Sequence, residues 1–154
     1  MSGEILSSTT LQQLYETDFA EWLDTTAQLL KQRRFTELDL DNLIEEIEAL
    51  GRSDKREIRS RLIKLLSHLL KYTYQPEKRS KSWISTILEQ RRQISLVLED
   101  SPSLKNYVTE VFVSCYERAR RDAADETELA IDLFPKSCPF AEADVLTDGW
   151  LPNL

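Results

Sequence analysis

The scarcity of turn-forming residues is the feature that most restricts the fold of this chain. Only three glycines and five prolines occur in 154 residues. A fold built from β-strands needs many turns, and glycine and proline are the residues that usually form them. The sequence therefore predicts an all-α protein with long helices and few connections.

Apolar residues that recur at steps of three and four define the predicted helices. Five main helices are predicted, over about residues 17–34, 40–50, 53–74, 82–98 and 102–125. Asp39 is the expected N-cap of the second helix and Gly51 its C-terminal stop, and Ser101-Pro102 marks the start of the fifth. Because the connections are short, consecutive helices should run antiparallel in a bundle.

The apolar stripes of the first two helices are typical of faces that pack on a core. The stripe of the first helix consists of Phe19, Trp22, Leu23, Ala27 and Leu30. The stripe of the second helix consists of Leu40, Leu43, Ile44, Ile47 and Leu50.

The length of the chain is typical of one domain, and we expect residues 1–154 to form a single one. The core bundle should cover about residues 14–125. The extension over about 126–154 is less regular, with short helices possible near 126–133 and 139–146. We expect Trp150, in the loop that follows, to pack on the bundle.

The cysteine count and the chain's polarity indicate a cytoplasmic protein. Two cysteines, Cys115 and Cys138, are too few for a disulfide scaffold and are expected as reduced thiols. Residues 1–10 lack the pattern of a signal peptide, and no run approaches the ~18 apolar residues of a membrane-spanning helix. No contact with a membrane is expected.

Charge is unevenly distributed behind the net value of −7. Residues 1–51 carry 3 basic and 11 acidic side chains, whereas residues 52–92 carry 12 basic and 4 acidic ones. We call the twelve cations the basic block: Arg52, Lys55, Arg56, Arg59, Arg61, Lys64, Lys71, Lys78, Arg79, Lys81, Arg91 and Arg92. The block predicts either a phosphate-binding surface or a face that acidic side chains of a neighbouring helix neutralise.

His68 is the single histidine, and helical periodicity places it on the polar face of the third helix, with Arg61 and Tyr72. The spacing Arg61-x6-His68 resembles the loose Arg-x4–6-His pattern of the HEPN nucleases, which are also helical bundles. That resemblance implies acid/base chemistry by His68 and phosphate stabilisation by Arg61, with Tyr72 as a further hydroxyl. Leu62 stands where that family has a polar residue, which weakens the match.

Trp83 begins the fourth helix, directly after the basic residues Lys78, Arg79 and Lys81. As a core residue it would anchor the fourth helix on the third, near Tyr72 or Tyr74. As a site residue it would offer an aromatic face beside cations, on which a base could stack. The core interpretation is favoured because tryptophan is seldom fully exposed.

Several kinds of site lack their residues in this sequence. One histidine cannot supply a ferritin-like di-iron centre, and three scattered Cys and His residues cannot supply a structural zinc site. Three isolated glycines form no phosphate-binding loop. Asp41, Glu45 and Glu48 share a helical face, which indicates solvated carboxylates more than a cation site. We therefore predict no metal and no cofactor.

Several short segments, spread over most of the chain, are typical of one known protein family. They are Leu14-Tyr15-Glu16-Thr17-Asp18-Phe19 with Trp22, residues 43–51, His68-Leu69-Leu70-Lys71 with Gln75-Pro76, Ser82-Trp83 with Ile87 and Gln90-Arg91, Ser101-Pro102-Ser103-Leu104, Phe134-Pro135, and Cys138-Pro139. In these segments the chain, over about residues 14–152, resembles the domain of unknown function family 29, which occurs in cyanobacteria and other bacteria. The resemblance implies an almost entirely helical protein and no established activity.

These observations lead to two functional hypotheses. The first is a binding module with a groove around the third and fourth helices, whose partner is a protein or a nucleic acid. Its candidate binding residues are His68, Lys71, Gln75, Lys78, Arg79, Trp83 and Arg91. The second is a metal-independent ribonuclease whose candidate catalytic residues are Arg61, His68 and Tyr72.

Overall fold

The computed structural model describes residues 8–153, which form helices and turns without a strand. Six α-helices occur in this range: α1 (Ser8–Thr17), α2 (Phe19–Lys31), α3 (Leu40–Tyr74), α4 (Lys81–Asp100), α5 (Lys105–Thr127) and α6 (Glu142–Leu146). Single 3-10 turns at Phe35–Glu37, Pro76–Lys78, Pro102–Leu104 and Ile131–Leu133 lie between them. The prediction of an all-α helical bundle is confirmed.

The chain forms two compact units. The N-terminal unit extends to Arg52 and contains α1, α2 and the first part of α3. The C-terminal unit begins at Ser53 and contains the rest of α3, with α4, α5, α6 and the segments between them.

Helix α3 continues through Gly51, so the predicted stop at this glycine is wrong. The helix has 35 residues and replaces the two separate helices that the sequence indicates. Gly51 does not adopt the left-handed conformation that ends many helices, since Gly149 is the only glycine with positive φ among the described residues. A lone glycine costs a helix only about 1 kcal/mol, and its neighbours here are good helix formers.

The first predicted helix is shorter than expected, and α1 precedes it. Asp18 caps α2 by accepting a hydrogen bond from the Glu21 amide at 3.1 Å. The helix ends at Lys31, and Arg33 then has a φ of 61°, which a helix cannot contain. Most of α1 lies outside the predicted helices because its only large apolar residues are Leu11 and Leu14, too few for a stripe.

The N-terminal unit has a small core. Leu11, Trp22 and Leu29 are its buried apolar residues. The indole Nε1 of Trp22 donates to Asp39 Oδ2 at 3.2 Å, and Asn42 donates to the same oxygen at 2.7 Å. Asp39 thus directly precedes α3, as predicted, but its carboxylate binds side chains in the core instead of capping the helix.

The two predicted apolar stripes of this unit are largely exposed. On α2, Phe19, Leu23 and Leu30 are 37–46% exposed, and the buried side is rotated toward Trp22, Thr26 and Leu29. On α3, exposure is 57% at Leu40, 46% at Ile44, 60% at Ile47 and 70% at Leu50. The expectation that these stripes pack on a core is therefore borne out only at Trp22, which is buried, and at Leu43, which packs against the same core; the other members of the stripes stay exposed.

The C-terminal unit has a much larger core. It contains apolar side chains from α3, α4 and α5, among them Ile58, Leu62, Leu65, Leu66, Leu69, Leu70, Ile87, Ile94, Val108, Phe112, Cys115 and Ala119. Phe134, Phe140 and Val145 complete it from the C-terminal extension. Trp150 packs against this core, and its ring lies edge-on to Phe140 with ring centroids 5.8 Å apart.

Arg91 fastens the C-terminal extension to α4. Its Nε donates to Val145 O at 2.9 Å and its Nη2 donates to Trp150 O at 3.0 Å. The side chain is only 2% exposed, and this burial lowers the pKa of the guanidinium from its usual value. Arg91 therefore holds the C-terminal extension on α4 through two hydrogen bonds, while its Nη1 has no hydrogen-bond partner among the described residues.

Both cysteines are free thiols. Cys115 is buried and Cys138 half-buried. Burial raises the pKa of Cys115 to about 11 and also raises that of Cys138. Within residues 8–153, no helix combines the length and the apolar character needed to cross a bilayer.

Candidate binding cleft

An open cleft between α3 and α5 contains His68. Its volume is about 370 Å³. The lining residues are Ser60, Ile63, Lys64, Ser67 and His68 on α3 and Arg118, Asp122 and Glu126 on α5. Their spacing of three and four residues places each set on one helical face, so the cleft follows directly from helical periodicity.

The orientation of His68 leaves one ring nitrogen available. Its Nδ1 lies 2.9 Å from Lys64 O, and because a carbonyl oxygen only accepts, Nδ1 carries the proton and donates. Burial lowers the pKa of His68, which outweighs the opposing effect of the bond to Lys64. The ring is therefore neutral at pH 7, with Nε2 left as an acceptor.

Ser67 contributes an unpaired polar group to the same cleft. The residue is 3% exposed, and its Oγ has no hydrogen-bond partner in the described part of the chain. A buried hydroxyl without a partner costs about 1–3 kcal/mol. Such a group is uncommon in a folded protein.

The charges that line the cleft balance one another. Arg118 Nε donates to Asp122 Oδ1 at 3.0 Å, and Glu126 forms an ion pair with the buried Lys71. Lys64, at the open edge, has no partner among residues 8–153. With His68 neutral, two cations and two carboxylates line the cleft, so the charges of its lining side chains sum to zero.

The α3–α4 turn lies beyond the end of this cleft. Arg79 donates to Tyr72 O at 2.6 Å, and its guanidinium carbon lies 4.1 Å from the centroid of the Tyr72 ring. Tyr72 is thereby covered by Arg79 and is not among the residues that line the cleft. Trp83 is half-buried, and the Nζ of Lys71 lies 5.8 Å from its ring centroid, an arrangement between the two predicted ones.

The structure divides the predicted site residues. His68 lines the cleft. Lys71 does not line it, but forms an ion pair with the lining residue Glu126. Lys78 and Arg79 lie on the exposed turn, whereas Gln75 is buried and Arg91 is bound to the C-terminal extension. The predicted pair of Arg61 and His68 does not form one site, because Arg61 is bonded to Gln90 Oε1 at 3.2 Å and paired with Glu57 at 3.7 Å.

Most side chains of the basic block are already bonded to other groups of the protein. Arg52 bonds Glu45 at 2.7 Å, and Arg92 bonds Glu89 at 2.9 Å. Lys55 lies over the ring of Tyr107, whose hydroxyl accepts from Arg59. Only four members lack a partner among residues 8–153, namely Arg56, Lys64, Lys78 and Lys81.

Sequence reasoning missed Ser67 and the α5 wall of the cleft. The spacing of Arg118, Asp122 and Glu126 is a readable signal, since residues at i, i+4 and i+8 share a helical face. Nothing in the sequence indicates that the Ser67 hydroxyl is unpaired, because that depends on the distance between α3 and α5. Among the described residues, no three His, Cys, Asp or Glu side chains are placed to hold a metal ion.

Comparison with known proteins identifies the family but no activity. A family profile described as "Domain of unknown function DUF29" matches residues 14–151. The chain belongs to this family. No curated protein and no solved structure matches the chain. The family match covers all the cleft residues, and the cleft therefore belongs to the family domain itself.

Proposed function

We propose that this DUF29 protein is a binding module whose α3–α5 cleft holds a neutral polar segment of a protein partner. The observation that carries the proposal is the Ser67 hydroxyl, which is buried in the cleft wall without a hydrogen-bond partner. Beside it, His68 offers the acceptor Nε2. A peptide or side-chain amide has both an N–H donor and a carbonyl acceptor, so it matches both groups: the N–H donates to His68 Nε2 and the carbonyl accepts from the Ser67 hydroxyl.

Charge favours such a partner over a nucleic acid. The cleft has two cations and two carboxylates, which suits a neutral group. Eight of the twelve members of the basic block already have partners in the protein, so few remain to displace counterions from phosphates. The free cations Lys78 and Lys81 on the α3–α4 turn are the residues that a nucleic acid would contact.

An NMR titration tests the proposal with two named probes. N-acetylasparagine amide should shift the resonances of residues 60–68 and 118–126, and Ser67→Ala should weaken its binding about fivefold to tenfold. Ser67→Ala should melt at the wild-type temperature or above it, because the substitution breaks no hydrogen bond and removes an unpaired buried hydroxyl. Ser114→Ala, on α5 outside the cleft, is the control for a serine whose hydroxyl is already bonded.

Two outcomes would contradict the protein-partner proposal. One is equal binding of the amide probe to Ser67→Ala and to the wild type. The other is tight, salt-sensitive binding of heparin or poly(U) with shifts around Lys78 and Lys81, which would favour the nucleic-acid version.

The ionisation of His68 sets a pH dependence for the same binding. Because burial lowers its pKa, Nε2 stays an acceptor at pH values where an ordinary histidine is already protonated. Affinity for the amide probe should hold from pH 7.5 to below 6.5 and fall at more acidic pH, as protonation turns Nε2 into a donor. His68→Gln should remove this step; an unchanged pH profile would show that His68 does not contact the probe.

A second candidate function is the metal-independent ribonuclease, which the free Nε2 of His68 favours. In that function His68 is the base, and Arg118 and Lys64 contact phosphate in place of Arg61. Total RNA incubated in EDTA should be cleaved by the wild type and not by His68→Ala or Arg118→Gln, while Arg61→Gln stays active. Cleavage no greater than the His68→Ala background would reject the enzyme.

We also propose that the protein acts in the cytoplasm of a bacterial cell. The two free thiols support a reducing compartment. Fractionation of a cell that expresses the chain, followed by immunoblotting, tests the location, and recovery in the periplasm or membrane pellet would refute it.

A further inference from the structure

The most unusual surface outside the cleft is the apolar face at the start of α3. Leu40, Ile44, Ile47 and Leu50 follow one another at steps of four, three and three residues, which places them along one side of the helix. Each is 46–70% exposed. Together they expose roughly 400 Å² of apolar surface, within the range of patches that are often functional in monomers.

This face is not explained by the packing of the N-terminal unit. The core of that unit uses Leu43 of this helix, while Glu46 accepts a hydrogen bond from Tyr15 at 2.5 Å on the same inner side. Leu43 belongs to the same stripe, but Leu40, Ile44, Ile47 and Leu50 stay largely exposed beside it. These four are large aliphatic side chains on a well-formed helix. Exposure of such a face to water is unfavourable in free energy, and contact with another apolar surface removes that penalty.

We infer that this face binds a second copy of the chain, with α3 antiparallel to α3 of the partner subunit. The spacing of the apolar residues is nearly the same in both directions. A two-fold axis beside residue 45 brings Leu40 opposite Leu50 of the partner subunit. The same axis brings Ile44 within one residue of the position opposite Ile47 of the partner subunit. A contact of this kind is isologous, so each copy supplies the surface that the other needs.

The area also suits a dimer. A standard interface buries about 800 Å² on each partner, of which slightly more than half is apolar. The exposed apolar surface of this face is close to that share. The polar remainder would come from flanking side chains, including Asp41 and Glu48, which are exposed and have no partner among residues 8–153.

Because of those carboxylates, the affinity of two copies for each other should depend on salt in a predictable direction. Two copies bring like charges together, and salt screens that repulsion. Association of two copies should therefore tighten as NaCl is raised. A complex with a basic partner protein would weaken under the same change, since opposite charges would then hold it together.

Analytical ultracentrifugation of the full chain tests the inference at concentrations up to about 200 µM. We expect a monomer–dimer equilibrium for the wild type and at least a tenfold weaker dimer for Ile44→Asp. Leu88→Asp is the matched control, because Leu88 is a similarly exposed (43%) apolar residue on α4. Circular dichroism should show that both variants keep the wild-type helix content, since neither side chain is buried.

A second measurement follows the dimer through NaCl from about 20 mM to 500 mM, where the dissociation constant should fall. A wild type that stays monomeric across the whole range would overturn the inference. So would equal weakening by Ile44→Asp and Leu88→Asp, or a dimer that dissociates as salt rises.

Discussion

The N-terminal and C-terminal units use apolar residues in opposite ways. Among residues 8–153, the N-terminal unit buries three large apolar residues and leaves eight substantially exposed, whereas the C-terminal unit buries eighteen apolar residues and leaves five large ones exposed. Both units are helical and carry similar amphipathic stripes. The difference teaches that a helical stripe predicts an apolar surface, and that the available neighbours decide whether this surface becomes part of a core or stays exposed.

The largest expected difference between the units is in cooperative stability. Trp22→Ala should cost the N-terminal unit about 3–5 kcal/mol, because it empties most of a three-residue core. Leu66→Ala should cost the C-terminal unit about 3 kcal/mol. Hydrogen exchange should show that Trp22→Ala removes protection in α1 and α2 while α4 and α5 keep theirs.

Leu66→Ala is the counterpart in that measurement and should lower protection in α4 and α5. If Trp22→Ala lowers protection in α5 by as much as in α2, the two units unfold together. The contrast between them would then be one of surface only, and not of stability.

A smaller effect concerns the polar contact that completes the C-terminal unit. Arg91→Met should destabilise the protein by about 2–3 kcal/mol, since it leaves the carbonyls of Val145 and Trp150 without their donor. The neighbouring Arg92 is exposed and pairs only with Glu89, so Arg92→Met should cost under about 1 kcal/mol. Urea denaturation measures both, and equal costs would show that the extension is held by its apolar contacts alone.

The smallest effect tests the helix shared by the two units. Gly51→Ala should stabilise the protein by about 0.5–1 kcal/mol, because alanine is the better helix former and its Cβ would meet no atom within 4 Å. A thermal melt detects the change. A destabilised variant would mean that Gly51 ends a helix after all, as the sequence pattern alone predicts.

Much of the C-terminal unit could be predicted from sequence because its signals are local. The proline at 76 and the pair Ser101-Pro102 mark the helix ends, and the stripe of Val108, Phe112, Cys115 and Ala119 is buried as its spacing indicates. Gly51 misled the prediction because a glycine both stops helices and is tolerated within them. The side of α2 that is buried depends on Trp22 finding Asp39, a contact that no periodicity encodes.

The candidate site could be predicted only in part, for the same reason. Periodicity placed His68 on a polar face, but the neighbour across that face is α5 and not α4. Arg91 and Gln75 matched the family pattern, yet both are buried, since a segment typical of a family can preserve packing as readily as binding. Ser67 became a candidate only once the distance between helices was known.

The bond from Arg91 to the C-terminal extension also bears on how the chain folds during synthesis. The carbonyls that Arg91 needs lie 54 and 59 residues further along the sequence. At translation rates of about 5–20 residues per second, the guanidinium waits roughly 3–12 s before both acceptors have been made. During that interval the Arg91 guanidinium lacks both of its carbonyl acceptors and is solvated by water. The packing around Arg91 can therefore be completed only after residue 150 has left the ribosome.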